Sequence, residues 1–504
     1  MRNRIYSVLE YCIKFFALIP LTLITFWTVR YANRVSLDDY ETSIITSNGL
    51  KFYMVFVISV IAMFFLYRLL KGIPEKWLFI GFTLCYMIAG IFLLTHIQMI
   101  MRADAEICYS SAAAFEVGDY QKLQFGEYFY MCPHQLGLTS YHRFLRLFSR
   151  KEEWVYFVNL LWIIVVNLCL WQASVLVYQE KTMVRKLIIF FSFAFLPHFF
   201  YFFYSYGQVP GIGCLAVAFY FTVRAFYKNC KISMGISMLF MMFACLIRNN
   251  YLIGAIALMI IYILKALKEN PAKRLLCVAL LLAVVTLPGG ILKKYYENAG
   301  DTELNKGIPF SMYVAMGIQE NPEGWRAPGW FNGFNHETYL ALGCDVEASG
   351  EAAVQSIQER VDTFMKNPGY GVEFFKEKLI TTWCEPTFMS IWSGPIISAG
   401  CETDMGLLQS LYVGGTAYEW LALGMNVVNA ILFGFSLLFI LAMIVKKKEF
   451  TILELFGVLF FMGGFLFHLI WETSSQYVYP YVVFLIPVAA GGIHFVYEKI
   501  GKGK

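Results

Sequence analysis

The sequence predicts an all-α integral membrane protein of about twelve transmembrane helices, and three observations lead there. Of its 504 residues, 59% are hydrophobic and only 15% charged, against roughly 25% charged in a soluble domain. Apolar stretches near the roughly 20 residues needed to cross about 30 Å of hydrocarbon recur from end to end. The basic residues, finally, gather in alternate loops.

Taken in order, the apolar spans are 8–29, 52–70, 77–99, 154–178, 187–204, 208–227, 232–247, 251–267, 274–292, 421–445, 450–470 and 478–497. Arg68, Lys71 and Lys76 follow the second span; Lys181, Arg185 and Lys186 the fourth; Arg224, Lys228 and Lys231 the sixth. Lys265, Lys268, Lys273 and Arg274 follow the eighth, Lys446, Lys447 and Lys448 the tenth, and Lys499, Lys502 and Lys504 the last. Basic residues are retained on the cytoplasmic side during insertion, so these loops and both termini are expected in the cytoplasm. The turns at 207–210 and 473–479 lack Lys and Arg altogether. Arg30 and Arg34 depart from the trend as single interfacial residues. Met1 to Tyr31 reads as a retained signal anchor, because no small-residue cleavage site follows its apolar run.

The chain divides into two N-terminal helices (1–76), a transmembrane core (77–292) with an outer loop at 101–153, a large outer loop (293–416) and C-terminal helices (417–504). No soluble cytoplasmic domain is expected. Within 101–153, the run His142 to Phe148 alternates apolar and basic positions as a helix lying in the interface would. The large loop is expected to be mostly helical: 350–366 has Ala353, Ile357, Val361 and Phe364 on one face, with Pro368-Gly369 as a stop.

The net charge of +5 comes from short basic clusters between spans, with no basic aromatic module, so nucleic acid is not an expected partner. None of the twelve cysteines forms a Cys-x-x-Cys pair, which argues against zinc and iron–sulfur sites. Five of them, Cys108, Cys132, Cys344, Cys384 and Cys401, fall on the expected outer side; an odd number does not make a disulfide framework, though one bridge stays open.

The polar residues that can carry chemistry stand at the outer ends of the spans. Asp104 and Glu106 follow the third span, where an acid is either solvated or used. Two uses are open, a general base and a metal ligand; the plain alternative is capping of a helix at 108–115. Gly118-Asp119-Tyr120 and the run Tyr128 to Gly137, with Tyr130 and His134, come next. Arg248, Lys293 and Lys294 run against the positive-inside trend and are therefore candidates for binding an anion, beside simple snorkelling.

In this order the pieces resemble the GT-C superfamily of membrane glycosyltransferases, above all bacterial proteins similar to protein mannosyltransferases and to lipid A aminoarabinose transferases. Asp104 matches the acid that opens the first outer loop of that group, Gly118-Asp119-Tyr120 its turn, and the segment Tyr130 to Gly137 its Tyr-Pro region. Further matches to Gram-positive members are Tyr206 to Gly211 (with Gln208), Arg248 to Ile253 (with Asn250), Gly329 to Gly333 (with Trp330), Lys378 with Trp383 to Pro386 (and so Glu385), and Glu472 with Gln476 to Pro480 (and so Tyr477). Three departures stand out. Two spans precede the acid-bearing loop instead of one, Gln476 stands where an Arg is frequent, and Cys132 interrupts the Tyr-Pro pair.

The resemblance implies a GT-C-like bundle in a bacterial plasma membrane that moves a sugar, with inversion, from a polyprenyl-phosphate donor to a hydroxyl of a glycan, lipid or protein at the outer face. Asp104 is then the general base. Arg248, Lys378, His134 and Lys293 bind the donor phosphate, and Glu106, Asp119, Tyr130, Gln208, Asn250, Trp330, Glu385, Glu472 and Tyr477 bind substrates. A divalent metal stays open, since Asp104, Glu106 and His134 are ligand types at no diagnostic spacing. The competing functions are a transporter or flippase of lipid-linked saccharides and a polysaccharide polymerase.

Overall fold

A computed structural model describes residues 2–38, 40–322, 324–396, 400, 401, 403 and 405–502. Lys504 of the basic C-terminus lies outside them. Among the described residues, ten helices are long and apolar enough to cross a membrane: Arg2–Arg30, Leu50–Gly72, Glu75–His96, Glu152–Val177, Gln208–Lys228, Asn249–Ala266, Pro271–Ala299, Thr416–Val445, Ile452–Ile470 and Tyr479–Lys499. Two other expected spans take different forms. The stretch at 187–204 becomes Thr182–Ala194 and Leu196–Phe203, bent by 51°, because Pro197 brings no amide to the ladder and starts the second piece at its first turn. The stretch at 232–247 becomes a helix of 17 residues, Lys231–Ile247.

Burial sorts the helices into centre and rim. Tyr479–Lys499 has 83% of its most apolar stretch buried within the protein, whereas Pro271–Ala299 has 11%. A helix apolar all round has no polar face to turn outward, so such rim helices suit lipid contact. In the centre, close approach replaces hydrophobic driving force: a Cβ at Gly492 would lie 2.0 Å from the Phe435 carbonyl oxygen.

One end of the bundle is held by a basic network. Arg185 reaches Glu75 at 2.7 Å, and Lys186 donates to the carbonyl of Leu70 at 2.7 Å. Lys14 bridges Glu10 at 2.8 Å and the carbonyl of Lys448 at 2.6 Å, and Lys268 pairs with Glu449 at 2.6 Å.

The opposite end carries the two large loops and an element that the sequence reading did not foresee. Strands Tyr31–Val35 and Ser43–Ser47 form an antiparallel hairpin in the register Tyr31↔Ser47 to Val35↔Ser43. Its outer edges are used: Asn33 donates its amide to the carbonyl of Cys384 at 2.9 Å, and Ser43 to that of Trp325 at 3.0 Å. Paired edges remove the hazard of open strands. Among the described residues, the otherwise α-helical architecture thus includes one small hairpin.

Two further local readings are corrected and a third is extended. The first helix of the 101–153 loop is Ala103–Glu116, with Asp104 and Glu106 in its first turn, and not a helix beginning at Cys108. The interfacial helix is Leu136–Arg146, and its His142 is fully buried with Nε2 bonded to the carbonyl of Ser205 at 3.0 Å, so only Phe144, Leu147 and Phe148 remain exposed on this stretch. The helix Val346–Lys366 ends at Asn367, where Pro368-Gly369 is expected to stop it, and Pro368 also occupies the first turn of the next helix, Pro368–Trp383, where a missing amide costs nothing. All twelve cysteines are free.

Leu136–Arg146 lies against the end of Lys231–Ile247, and Gly137 permits it: an added Cβ would sit 1.7 Å from the carbonyl oxygen of Leu246. Gly137→Ala is expected to lose about 1–3 kcal/mol of stability, read as a lower thermal unfolding midpoint in detergent.

Candidate active site

The site grows from the first turn of Ala103–Glu116. Arg102 precedes it in an extended conformation and Ala103 adopts φ 51°, so the chain turns sharply as it leaves the third span. The Arg102 guanidinium stacks 4.2 Å from the Trp392 ring and donates to the carbonyl of Gly394 at 3.2 Å. Asp104 then points inward, where Oδ2 accepts a hydrogen bond from the Tyr206 hydroxyl at 2.5 Å. Two residues along a helix are about 200° apart, so Glu106 faces elsewhere; it is exposed and close enough to Glu152 to help raise that carboxyl's pKa, after burial and Glu153.

Tyr206 is the hub. Its hydroxyl also accepts from Gln135 Nε2 at 2.7 Å, and its carbonyl accepts from Arg248 at 2.7 Å. Arg248 spreads its guanidinium 4.4 Å from the Tyr206 ring and 5.4 Å from the Tyr477 ring, a desolvated cation–π arrangement. The chain reaches Tyr206 through the aromatic turn after the bent span and leaves through Gly207, at φ 82°, directly into Gln208–Lys228. Carboxylate and guanidinium are thereby fixed at the two ends of one tyrosine.

Beside Arg248 a small cleft is lined by Gln208, Asn250, Tyr477, Tyr251, Phe460 and Tyr481, with Pro480 at its edge. Gln208 donates to Gln476 Oε1 at 3.3 Å, while its own buried Oε1 has no hydrogen-bond partner.

His134 lies in the turn Pro133–Gln135. Its surface is accessible, yet it is walled by protein, and this burial, with Arg248 and His336 acting in the same direction against Asp104, pushes its pKa down to about 4. His336, from helix Phe334–Ala341 of the large loop, joins this wall with Nε2 4.0 Å from Cys132 Sγ. Glu472 is buried and its carboxyl is pushed up to about 8 by that burial, with Lys378 opposing and Glu41 and Asp104 reinforcing. Glu41 comes from the loop of the hairpin and also pairs with Arg326 at 3.4 Å.

Other expected site residues serve the framework. Lys378 is fully buried and donates to the carbonyls of Gly317 at 2.5 Å, Trp471 at 2.8 Å and Leu469 at 3.1 Å. All three of its protons are committed, which leaves none for a phosphate. Burial pushes its pKa down to about 7 against the pull of Glu472. Trp330 packs at 2% exposure beside this knot, where Thr473 donates its amide to the carbonyl of Gly329 at 2.9 Å. Glu385 folds onto its own turn, accepting from the Thr387 amide at 3.0 Å, the Thr387 hydroxyl at 2.9 Å and the Met389 amide at 2.5 Å. Asp119 closes an exposed turn on the Gln121 amide at 3.0 Å. Tyr130 packs 5.2 Å from Phe125, and Lys293 pairs at 3.6 Å with Glu297 of its own helix.

The structure therefore gathers Asp104, His134, Gln208, Arg248, Asn250 and Tyr477 around Tyr206, with Glu472 behind them. Sequence reasoning gave no role to Tyr206, His336 or Glu41. Tyr206 lay within a quoted motif, but His336 and Glu41 arrive from distant loops with no local pattern to mark them. Among the described residues, no group of three or more His, Cys, Asp or Glu is placed to hold a metal ion.

No protein-family model matches the chain, and neither a curated protein nor a solved structure shows significant similarity to it.

Removing the ammonium at Lys378 leaves three buried carbonyls without a donor. Lys378→Met is expected to cost on the order of 3 kcal/mol and to expose the 300–383 region to limited proteolysis. Wild-type protease resistance in this variant would show that the knot is dispensable.

Proposed function

We propose that this chain is a membrane glycosyltransferase of the GT-C type, transferring a sugar from a polyprenyl-phosphate donor to an acceptor hydroxyl at the non-cytoplasmic face. The observation that carries this reading is the Tyr206 hub, which holds one carboxylate, Asp104, at its hydroxyl and one guanidinium, Arg248, at its carbonyl. Transfer with inversion requires that pair of charges at opposite ends of the reacting bonds. The acceptor oxygen gives its proton to Asp104 as it bonds to the anomeric carbon, and the bond from that carbon to the phosphate oxygen breaks with its electron pair going to the phosphate. Arg248 neutralises the charge that develops there, in a cleft where low dielectric strengthens the interaction.

The surroundings support a greasy donor. The cleft beside Arg248 combines polar Gln208, Asn250 and Tyr477 with the rings of Tyr251, Phe460 and Tyr481, a boundary between polar and apolar lining. A lipid-linked leaving group needs that boundary, because its tail stays in hydrocarbon while its phosphate meets fixed donors. The polar cluster stands at the ends of helices, whereas a transporter site is expected near the bilayer midplane. His134, Glu472 and His336 complete the wall as positioning groups, and the pocket beneath the large loop selects sugar and acceptor.

Asp104→Asn is expected to lower transfer from a polyprenyl-phosphate sugar in membrane preparations by about 10²–10⁴-fold; Arg248→Met is expected to lower it by about 10²–10³-fold. Full activity in a correctly inserted Asp104→Asn protein would remove the base assignment. Because His134 titrates near 4, it stays neutral from pH 5 to 8 and acts only as a hydrogen-bonding group. The pH profile of His134→Gln is therefore expected to run parallel to the wild type over that range, and loss of an inflection near 6.5 in the variant would contradict the assignment.

A further inference from the structure

A second cavity lies outside the Tyr206 cleft, between the hairpin, the start of Leu50–Gly72 and the start of Thr416–Val445. It holds about 740 Å³ of space, its open mouth included. Two cations line it, Arg34 and Lys51, and Arg34 is one of the few residues at this end that run against the charge asymmetry of the other loops. Arg34 stands 3.8 Å from Glu419 with both side chains more than half exposed, and the Lys51 ammonium sits 3.6 Å from the centre of the Trp420 ring. Gly49 begins the helix Leu50–Gly72 at this wall with no side-chain cap, so the positive end of the helix dipole faces the same space.

Deeper in the cavity, Asn48 Nδ2 donates to the carbonyls of Thr28 and Val29 at 2.9 Å, and its Oδ1 accepts from Asn426 Nδ2 at 3.1 Å. Asn426 is 2% exposed and its Oδ1 has no hydrogen-bond partner. A buried acceptor in that condition is costly until a donor reaches it. The mouth is rimmed by apolar groups turned away from the protein, with Leu50 75%, Met54 56% and Trp420 55% exposed, the mixture of aromatic and aliphatic groups typical of a membrane boundary.

We propose that this crevice binds the headgroup of a phospholipid in the leaflet on the loop-bearing side. Its phosphate lies between Arg34, Lys51 and the first amides of Leu50–Gly72, with a hydroxyl or ammonium of the same headgroup on the Glu419 side of the mouth. Glu419 lies on the rim, where it repels a bare anion but accepts from that same hydroxyl or ammonium. The acyl chains run down the exposed face at Leu50 and Met54. Nothing in the proposed transfer reaction uses this crevice, so it is a separate lipid site.

The test uses the full chain in a neutral detergent, with retained lipid counted by native mass spectrometry. Phosphatidylglycerol, phosphatidylethanolamine and phosphatidylcholine are compared, and inorganic phosphate is titrated alone. Phosphatidylglycerol and phosphatidylethanolamine, whose headgroups carry donors, are expected to be retained above phosphatidylcholine. The double variant Arg34→Gln/Lys51→Gln, which changes exposed side chains, is expected to weaken phosphatidylglycerol retention by about tenfold with an unchanged unfolding midpoint in lipid-free detergent. Equal retention of all three lipids, or of phosphatidylglycerol by wild type and variant, would overturn the proposal. Displacement of bound lipid by inorganic phosphate at millimolar concentration would also overturn it, by assigning the crevice to a soluble phosphate.

Discussion

The carbonyls of Gly317, Leu469 and Trp471 converge on the ammonium of Lys378, and most of the loop-bearing half hangs on that meeting. Helix ends leave carbonyls without partners, and in a membrane protein they find little water to replace them. One lysine satisfies the end of Ile452–Ile470 and a turn of the large loop together, so the loop is clamped to the bundle at a fixed height. Glu472 and the 473–478 turn follow directly. Tyr477 then comes to rest against Arg248, and the cleft acquires its far wall.

The second dependence runs through Tyr206. A carboxylate and a guanidinium left at liberty at a bilayer surface would form a direct ion pair and quench each other. Here Asp104 takes the phenol hydroxyl and Arg248 the carbonyl and ring face, so each charge is held without being consumed by the other. That separation is what the proposed transfer would require of the two charges.

Much of this was legible in the sequence because the bilayer imposes it. Hydrophobic length gave the spans, and the apolar run at 187–204 failed as one straight helix only because Pro197 falls within it. Asp104, Arg248 and His134 could be singled out since polar groups at span ends are scarce. What stayed hidden depends on long-range geometry. A two-residue spacing makes Asp104 and Glu106 look like a pair until a helix turns them apart. Lys378 looks like an anion binder until three carbonyls claim it. The strands at 31–35 and 43–47 are short, polar in part and far from their partners Cys384 and Trp325, so no periodicity announces them.

The hairpin carries a consequence for how the chain is divided. Because Asn33 and Ser43 donate backbone amides to Cys384 and Trp325, the first two helices are sewn to the large loop across some 280 to 350 positions of sequence. A core starting at the third span would lack the donors for those two carbonyls and the Glu41 carboxylate behind the cleft. The N-terminal pair is thus bonded directly to the large loop through the hairpin and the Glu41–Arg326 pair. Splitting the protein at 76 cuts a joint, not a boundary.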